Sequence, residues 1–325
     1  MSEHETDVLH SGLKDNDALA PSIPWRFMVP LHIVAIVSMG LTVVFSYAEV
    51  FPFTSPLGLY RLLPGDILID FAWLYVISLA IGIVVYLTSR HLSLLQWKIH
   101  RLITGRNCNY HIQALDPRAG HTGFIRRLII PAFVSLGLAS TLASNSSIAD
   151  LLFVTESFDT LAPSARGIAE TMPLFFLLLL ISCFIVIFFA PAWLLEDTGV
   201  IYERKTEGTR STADIEGVGN YYLALLKGFA GISTIATYFL IALQTYEWFM
   251  SLPGTIEVPL WFFLLPVVVI FIAPLLAMGP ISVVYSFYEL ALRRNVKDLE
   301  RRMKSEGLER VVVELPTSVA KDSTG

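Results

Sequence analysis

Six apolar segments, each close to the length of a bilayer crossing, constrain this chain more than anything else in it. They run Phe27 to Ala48, Ile67 to Thr88, Leu128 to Asn145, Met172 to Leu195, Leu223 to Gln244 and Val258 to Tyr285. An α-helix rises about 1.5 Å per residue, so roughly 20 residues cross a hydrocarbon core about 30 Å thick. Within that core every backbone N–H and C=O needs a partner inside its own segment, and a helix supplies it. The expected fold is therefore an all-α integral membrane protein with six transmembrane helices, short interfacial helices and a C-terminal amphipathic helix.

Charge sets the direction of the spans. Of the 23 Lys and Arg, only Arg61 and Arg166 fall in the first, third and fifth loops. The others lie in the N-terminal arm, the second loop, the fourth loop with the adjoining Lys227, and the C-terminal tail. The positive-inside rule then predicts a multi-pass protein of the cell membrane with both termini in the cytoplasm. Deleting any one span would put Arg-rich segments on opposite faces. This argument carries the two spans that composition supports least, the third, which begins after Arg126 and Arg127, and the fifth, with Lys227 in its first turn. These side chains can snorkel to the interface.

At 54% hydrophobic and 16% charged residues, the chain is far from the roughly one-quarter charged content of a soluble domain. Its net charge of −5 does not describe a binding surface, because acids and bases are segregated by membrane side. Three regions follow: a disordered cytoplasmic arm over 1–26, a six-helix bundle over 27–288, and a cytoplasmic helix with a disordered tail over 289–325. The arm carries Glu3, Glu5, Asp7, Asp15 and Asp17 and lacks the basic start of a signal peptide. Cys108 and Cys183 should lie at different depths, which argues against a disulfide. The triplet Asn145-Ser146-Ser147 fits a glycosylation acceptor on the outer side, very close to the membrane.

Two segments outside the spans have helical periodicity. From His91 to Ile103, Leu92, Leu95, Ile99 and Leu102 share one face and Lys98 and Arg101 the other, before Gly105. This predicts either a cytoplasmic extension of the second helix or a helix lying among headgroups. Ser147 and Asp150 form a capping box ahead of an apolar run, predicting a short interfacial helix. In lipid, helices associate through close backbone approach, so Gly137, Ser140, Thr141 and Ser144 should mark one buried face. Gly228, Gly231, Thr234 and Thr237 should mark another. A faint echo relates Ala190-Pro191, Val200 and Tyr202 to Ala273-Pro274, Val283 and Tyr285, as a repeat of helix pairs would.

Candidate chemistry is sparse. The sixth span contains Pro259, Pro266, Pro274 and Pro280, each freeing a carbonyl four residues upstream, and Phe262 and Ile270 are the carbonyls freed by Pro266 and Pro274. Such carbonyls can line a path where a helix breaks, so a tilt or a break near Pro274 is expected. Asp70, about one turn below the outer surface, could belong to an outer vestibule, and His32 sits a similar distance from the inner one. Glu196 and Asp197 follow the fourth span and could act as acid and base, or hold a divalent cation with Glu203; alternatively they face water after Gly199 ends the helix. The histidines His91, His100, His111 and His121 cluster in the second loop but are nine to eleven apart, a poor metal spacing. We expect no metal, no cofactor and no nucleic-acid partner, and no catalytic motif appears.

The tail continues in helical register. Leu292, Val296, Leu299 and Met303 make a seam of barely two heptads, flanked by a basic stripe of Arg294, Lys297, Arg301 and Lys304. That stripe predicts docking to anionic lipid or to a protein, another copy of the chain included. Two functions are compatible with these features: a pathway or binding cavity for a small solute or ion, built on a broken sixth helix, or a non-catalytic membrane subunit or regulator acting through its basic cytoplasmic helices. A membrane-embedded enzyme is a third, less supported by motif.

Overall fold

A computed structural model describes residue 33 and residues 64–114, 124–143, 163–204, 215–251 and 264–311. Apart from Ile33, the first span lies outside the described residues, as do the arm, the capping box at Ser147, the Asn145 triplet, the far end of the tail, His32 and Phe262. From residue 64 on, the described residues form five helices and four strands in the order α1 (Pro64–Thr104), β1 (Cys108–Gln113), α2 (Phe124–Ala143), α3 (Pro163–Thr198), β2 (Val200–Arg204), β3 (Ile215–Gly217), α4 (Val218–Ser251), α5 (Leu264–Ser305) and β4 (Glu309–Val311). Segments within α1, α3, α4 and α5 are long and apolar enough to cross a membrane.

Helix α3 is the central element. It touches the other four helices, and Leu178, Cys183, Val186, Phe189 and Leu194 along it are buried. Its apolar residues surround the whole axis rather than one stripe, the pattern of a helix enclosed by neighbours. Helix α4 is the opposite case. Leu225, Phe229, Ile232, Ile235, Phe239 and Leu243 are each more than half exposed, as a face turned to lipid requires. Gly228 and Gly231 lie on that open side with nothing near them, so the small-residue face expected on this helix is corrected at these two positions, while Thr237 is buried and Thr234 half-buried. On α2 the expectation holds for Gly137 and Ser140: a Cβ on Gly137 would stand 1.8 Å from the Ser233 Cβ of α4.

The sheet is the feature the sequence reading did not contain. Its order is β3-β2-β1-β4, with β1–β2 and β2–β3 antiparallel and β1–β4 parallel. An all-α description is therefore corrected to a mainly helical fold with one small sheet. Cys108 and Ile112 of β1 share one face with Val200 and Tyr202 of β2, and all four are buried, while Ile201 is buried on the opposite face. The sheet follows the C-terminal ends of α1, α3 and α5 and precedes the N-terminal end of α4. Gly199 (φ 74°) ends α3 and Gly307 (φ 88°) follows the end of α5, both in the left-handed conformation that lets the chain turn sharply from helix to strand.

Helices α1 and α5 run in parallel along much of their length. Gly82 admits the Phe287 ring, Arg294 donates to the Tyr86 hydroxyl at 3.0 Å, Arg90 pairs with Asp298 at 3.5 Å, and Trp97 Nε1 and Arg101 both donate to Glu306, at 3.2 and 2.9 Å. Leu292, Leu299 and Met303 are buried against this pairing. The seam in the tail thus has its partner within the chain, and the segment from His91 to Ile103 is the uninterrupted end of α1 rather than a separate helix among headgroups. The suspected echo does not correspond in structure, since Val200 and Tyr202 lie in β2 whereas Val283 and Tyr285 lie within α5. What does recur is the pair α1-β1 and α5-β4, each a long helix followed by a strand, side by side and parallel.

Candidate functional site

The polar groups inside the bundle gather at its sheet end. Arg127, one turn into α2 and 7% exposed, donates from both terminal nitrogens to Asp197 near the end of α3, at 2.9 and 2.5 Å. The Tyr288 hydroxyl of α5 donates to the same carboxylate. Glu196 lies 3.6 Å from the guanidinium. Around them Trp193 packs edge-on against Tyr285 and Tyr288 at 5.5 and 5.2 Å between ring centres. A bidentate Arg–carboxylate pair is the geometry in which a buried pair keeps most of its attraction. Three helices are fastened at one level by one carboxylate.

Beside this lock, α2, α3 and α4 leave a cleft of about 330 Å³, part of it open solvent. It is lined by Arg126, Arg127, Ile130, Phe189, Trp193, Glu196, Leu223 and Lys227. Arg126 is exposed and Lys227 half-buried. Neither forms an ion pair within 4 Å among the described residues, but both act electrostatically on Glu196, so the cleft sets two cations around one carboxylate over an aromatic floor.

A second cluster stands between the sheet and the end of α1. His100, buried, is ringed by Tyr202, Tyr221, Tyr110 and Tyr222, with ring centres 4.6 to 6.3 Å away. Its Nδ1 lies 3.1 Å from both the Tyr110 hydroxyl and Thr104 Oγ1. Burial, and for Tyr202 a hydrogen bond given to Glu216, raises both the Tyr110 and Tyr202 phenols above their ordinary pKa. The imidazole sits inside the aromatic box with its Nε2 buried and without a hydrogen-bond partner among the described residues, and the cluster ties β1, β2 and α4 to α1. The Tyr222 hydroxyl adds a bond to the Gln96 carbonyl at 2.8 Å.

The sequence candidates divide among these places. Asp197 is in the lock and Glu196 in the cleft. Glu203 is on β2, opposite Asn109, and does not join them. Among the described residues no three His, Cys, Asp or Glu side chains gather as metal ligands, which overturns a divalent site shared by Glu196, Asp197 and Glu203. Nor do Glu196 and Asp197 simply face water. Asp70 lies in the first turns of α1, away from the sheet end. Pro266, Ile270 and Pro274 are buried on α5, where Ala273, Ala277 and Ile281 continue the packed face. The helix runs through Pro274 and Pro280 without interruption, so of the tilt or break expected near Pro274 the break is absent. Arg294, Lys297, Arg301 and Lys304 remain exposed on the far side of α5 from the seam. Arg294 stacks on Tyr86 at 5.2 Å, and Arg301 and Lys304 form pairs with Asp298 and Glu300 on their own helix.

Arg127, Tyr288, Trp193 and Glu306 were not singled out from the sequence as site residues. The Arg126-Arg127 dipeptide was visible, but as a topology signal, and its carboxylate is 70 residues away. Only the fold brings them together. Comparison of the chain with known protein families, with curated proteins and with solved structures finds no match in any of the three.

Proposed function

We propose that this is a non-catalytic membrane subunit or regulator of six spans, with both termini in the cytoplasm of the cell, whose sheet end forms a rigid cytoplasmic cap that docks an acidic protein partner. The supporting observation is the intramolecular α1–α5 pairing, which holds the basic stripe outward on a fixed support. Tyr288 is level with the end of α3, and Lys297 and Lys304 lie about 14 and 24 Å farther along the helix axis. Attraction to headgroups decays over a Debye length of about 8 Å, so at that distance anionic lipid exerts little pull, whereas an acidic partner in the cytoplasm reaches the stripe directly. A solute pathway is the weaker reading, because Pro266, Ile270 and Pro274 are packed along an unbroken helix and the lock fastens three helices at the sheet end of the bundle.

The test is cross-linking in native membranes followed by gentle purification, comparing the natural chain with Lys297→Glu/Arg301→Glu/Lys304→Glu. The docking reading predicts a specific partner cross-linked through Lys297 or Lys304 to an acidic segment, released by moderate salt and lost in the triple variant. A partner retained by the variant, or none in either sample, would reject it.

A further inference from the structure

The hydrogen bonds around His100 leave one atom over. The residue is 1% exposed. Thr104 Oγ1 gives its proton to the His100 carbonyl at 2.7 Å, and the Tyr110 hydroxyl, 2.5 Å from Thr104 Oγ1, gives its own proton there. With both hydroxyl protons placed, the network assigns the imidazole hydrogen to Nδ1, which lies 3.1 Å from each oxygen. Nε2 keeps a lone pair, buried and without a partner among the described residues. An incoming proton therefore has one nitrogen to go to, and at that nitrogen neither an acceptor nor open solvent receives it.

Tyr110 faces the imidazole from β1, Tyr202 from β2, and Tyr221 and Tyr222 from α4. Cys108 acts on the Tyr110 and Tyr202 phenols and Arg204 on Tyr202, while Arg101 is turned to Glu306. Glu216 of β3 stands behind Tyr202, whose hydroxyl donates to it at 2.5 Å. Burial, the larger effect, holds His100 below its ordinary pKa of 6.5, and the Glu216 carboxylate opposes that shift.

We propose that His100 is a proton-operated latch of the cap: neutral, it holds β1 and β2 to the ends of α1 and α4, and it has to leave the tyrosine box to take up a proton, which frees the strands. Opening returns the imidazole to water and to its ordinary value of 6.5, whereas the closed cap holds it lower. The closed state is therefore fully supported above about pH 6.5. It loses support as pH falls from there toward the lower value of the closed cap, by up to about tenfold in the opening equilibrium per pH unit. The latch uses none of the basic stripe, so it stands apart from the docking reading.

The experiment is hydrogen exchange on the full chain in nanodiscs between about pH 7.5 and 5.5, corrected for the intrinsic pH dependence of exchange. In the natural chain and in His111→Gln, opening of β1, β2 and the start of α4 should increase below about pH 6.5, approaching tenfold per unit, while the middle of α3 stays protected. His100→Gln, which cannot be protonated, should remove the increase. A cap equally protected throughout, an increase that persists in His100→Gln, or one lost in His111→Gln would overturn the proposal. Should His100→Gln open the cap at every pH, the nitrogen NMR titration of His100 in the natural chain decides: a midpoint below about 6.5 supports the latch, and one at or above it overturns it.

Discussion

At the scale of single residues, the Arg127–Asp197 pair decides whether the sheet end of the bundle stays closed. Both side chains are mostly buried, so removing one leaves the other charged, desolvated and alone. Such losses typically cost about 3 to 5 kcal/mol, while replacing both partners by apolar residues is often close to neutral. Asp197→Leu should therefore lower the unfolding midpoint sharply in a detergent-denaturation series, and Arg127→Met/Asp197→Leu should recover most of the loss. If the double variant were as unstable as the single one, the carboxylate would matter through Tyr288 rather than through Arg127. Half of this arrangement was legible: two acids after a span and two arginines before another are plain in the sequence. Their pairing was not, because nothing local to either segment specifies a partner 70 residues away.

At the scale of elements, the long helices were readable because apolar length is a strong signal, and the seam of Leu292, Val296, Leu299 and Met303 was readable as periodicity. What covers that seam was not. A helix of this length is marginal alone in water and needs a packing partner, but the sequence cannot say whether the partner is another chain or an earlier helix of the same one. The strands were missed for a different reason. They are three to six residues long, too short for a period-two pattern to register even where a run such as Val200–Arg204 opens with three β-favouring residues. Because Leu299 is 1% exposed within the α1–α5 pairing, Leu299→Asp should unzip the helix ends without preventing membrane insertion. Hydrogen exchange should then rise together in the ends of α1 and α5 and in β1 and β4. Faster exchange confined to α5, with α1 unchanged, would mean the two ends do not support each other.

At the scale of the molecule, the sheet links segments that the sequence related only through charge. The second loop supplies β1, the fourth supplies β2 and β3, and the tail supplies β4, so three of the four basic regions meet at one end of the bundle. The structure thus supplies a reason, independent of the positive-inside rule, for these segments to share a side of the membrane. Which side that is remains a matter for the charge rule, and the docking proposal is built on the resulting arrangement. The most direct test is thiol labelling in intact cells with a membrane-impermeant reagent. The test uses a variant in which Cys108 and Cys183 are replaced by Ala and a single cysteine is placed in turn at Arg106, Arg204, Arg310 or Ser164. The account predicts that the first three are silent until the cells are permeabilised and that Ser164 reacts from outside. Labelling of any one cap position in intact cells, or silence at Ser164 under conditions that label a known outer site, would contradict it.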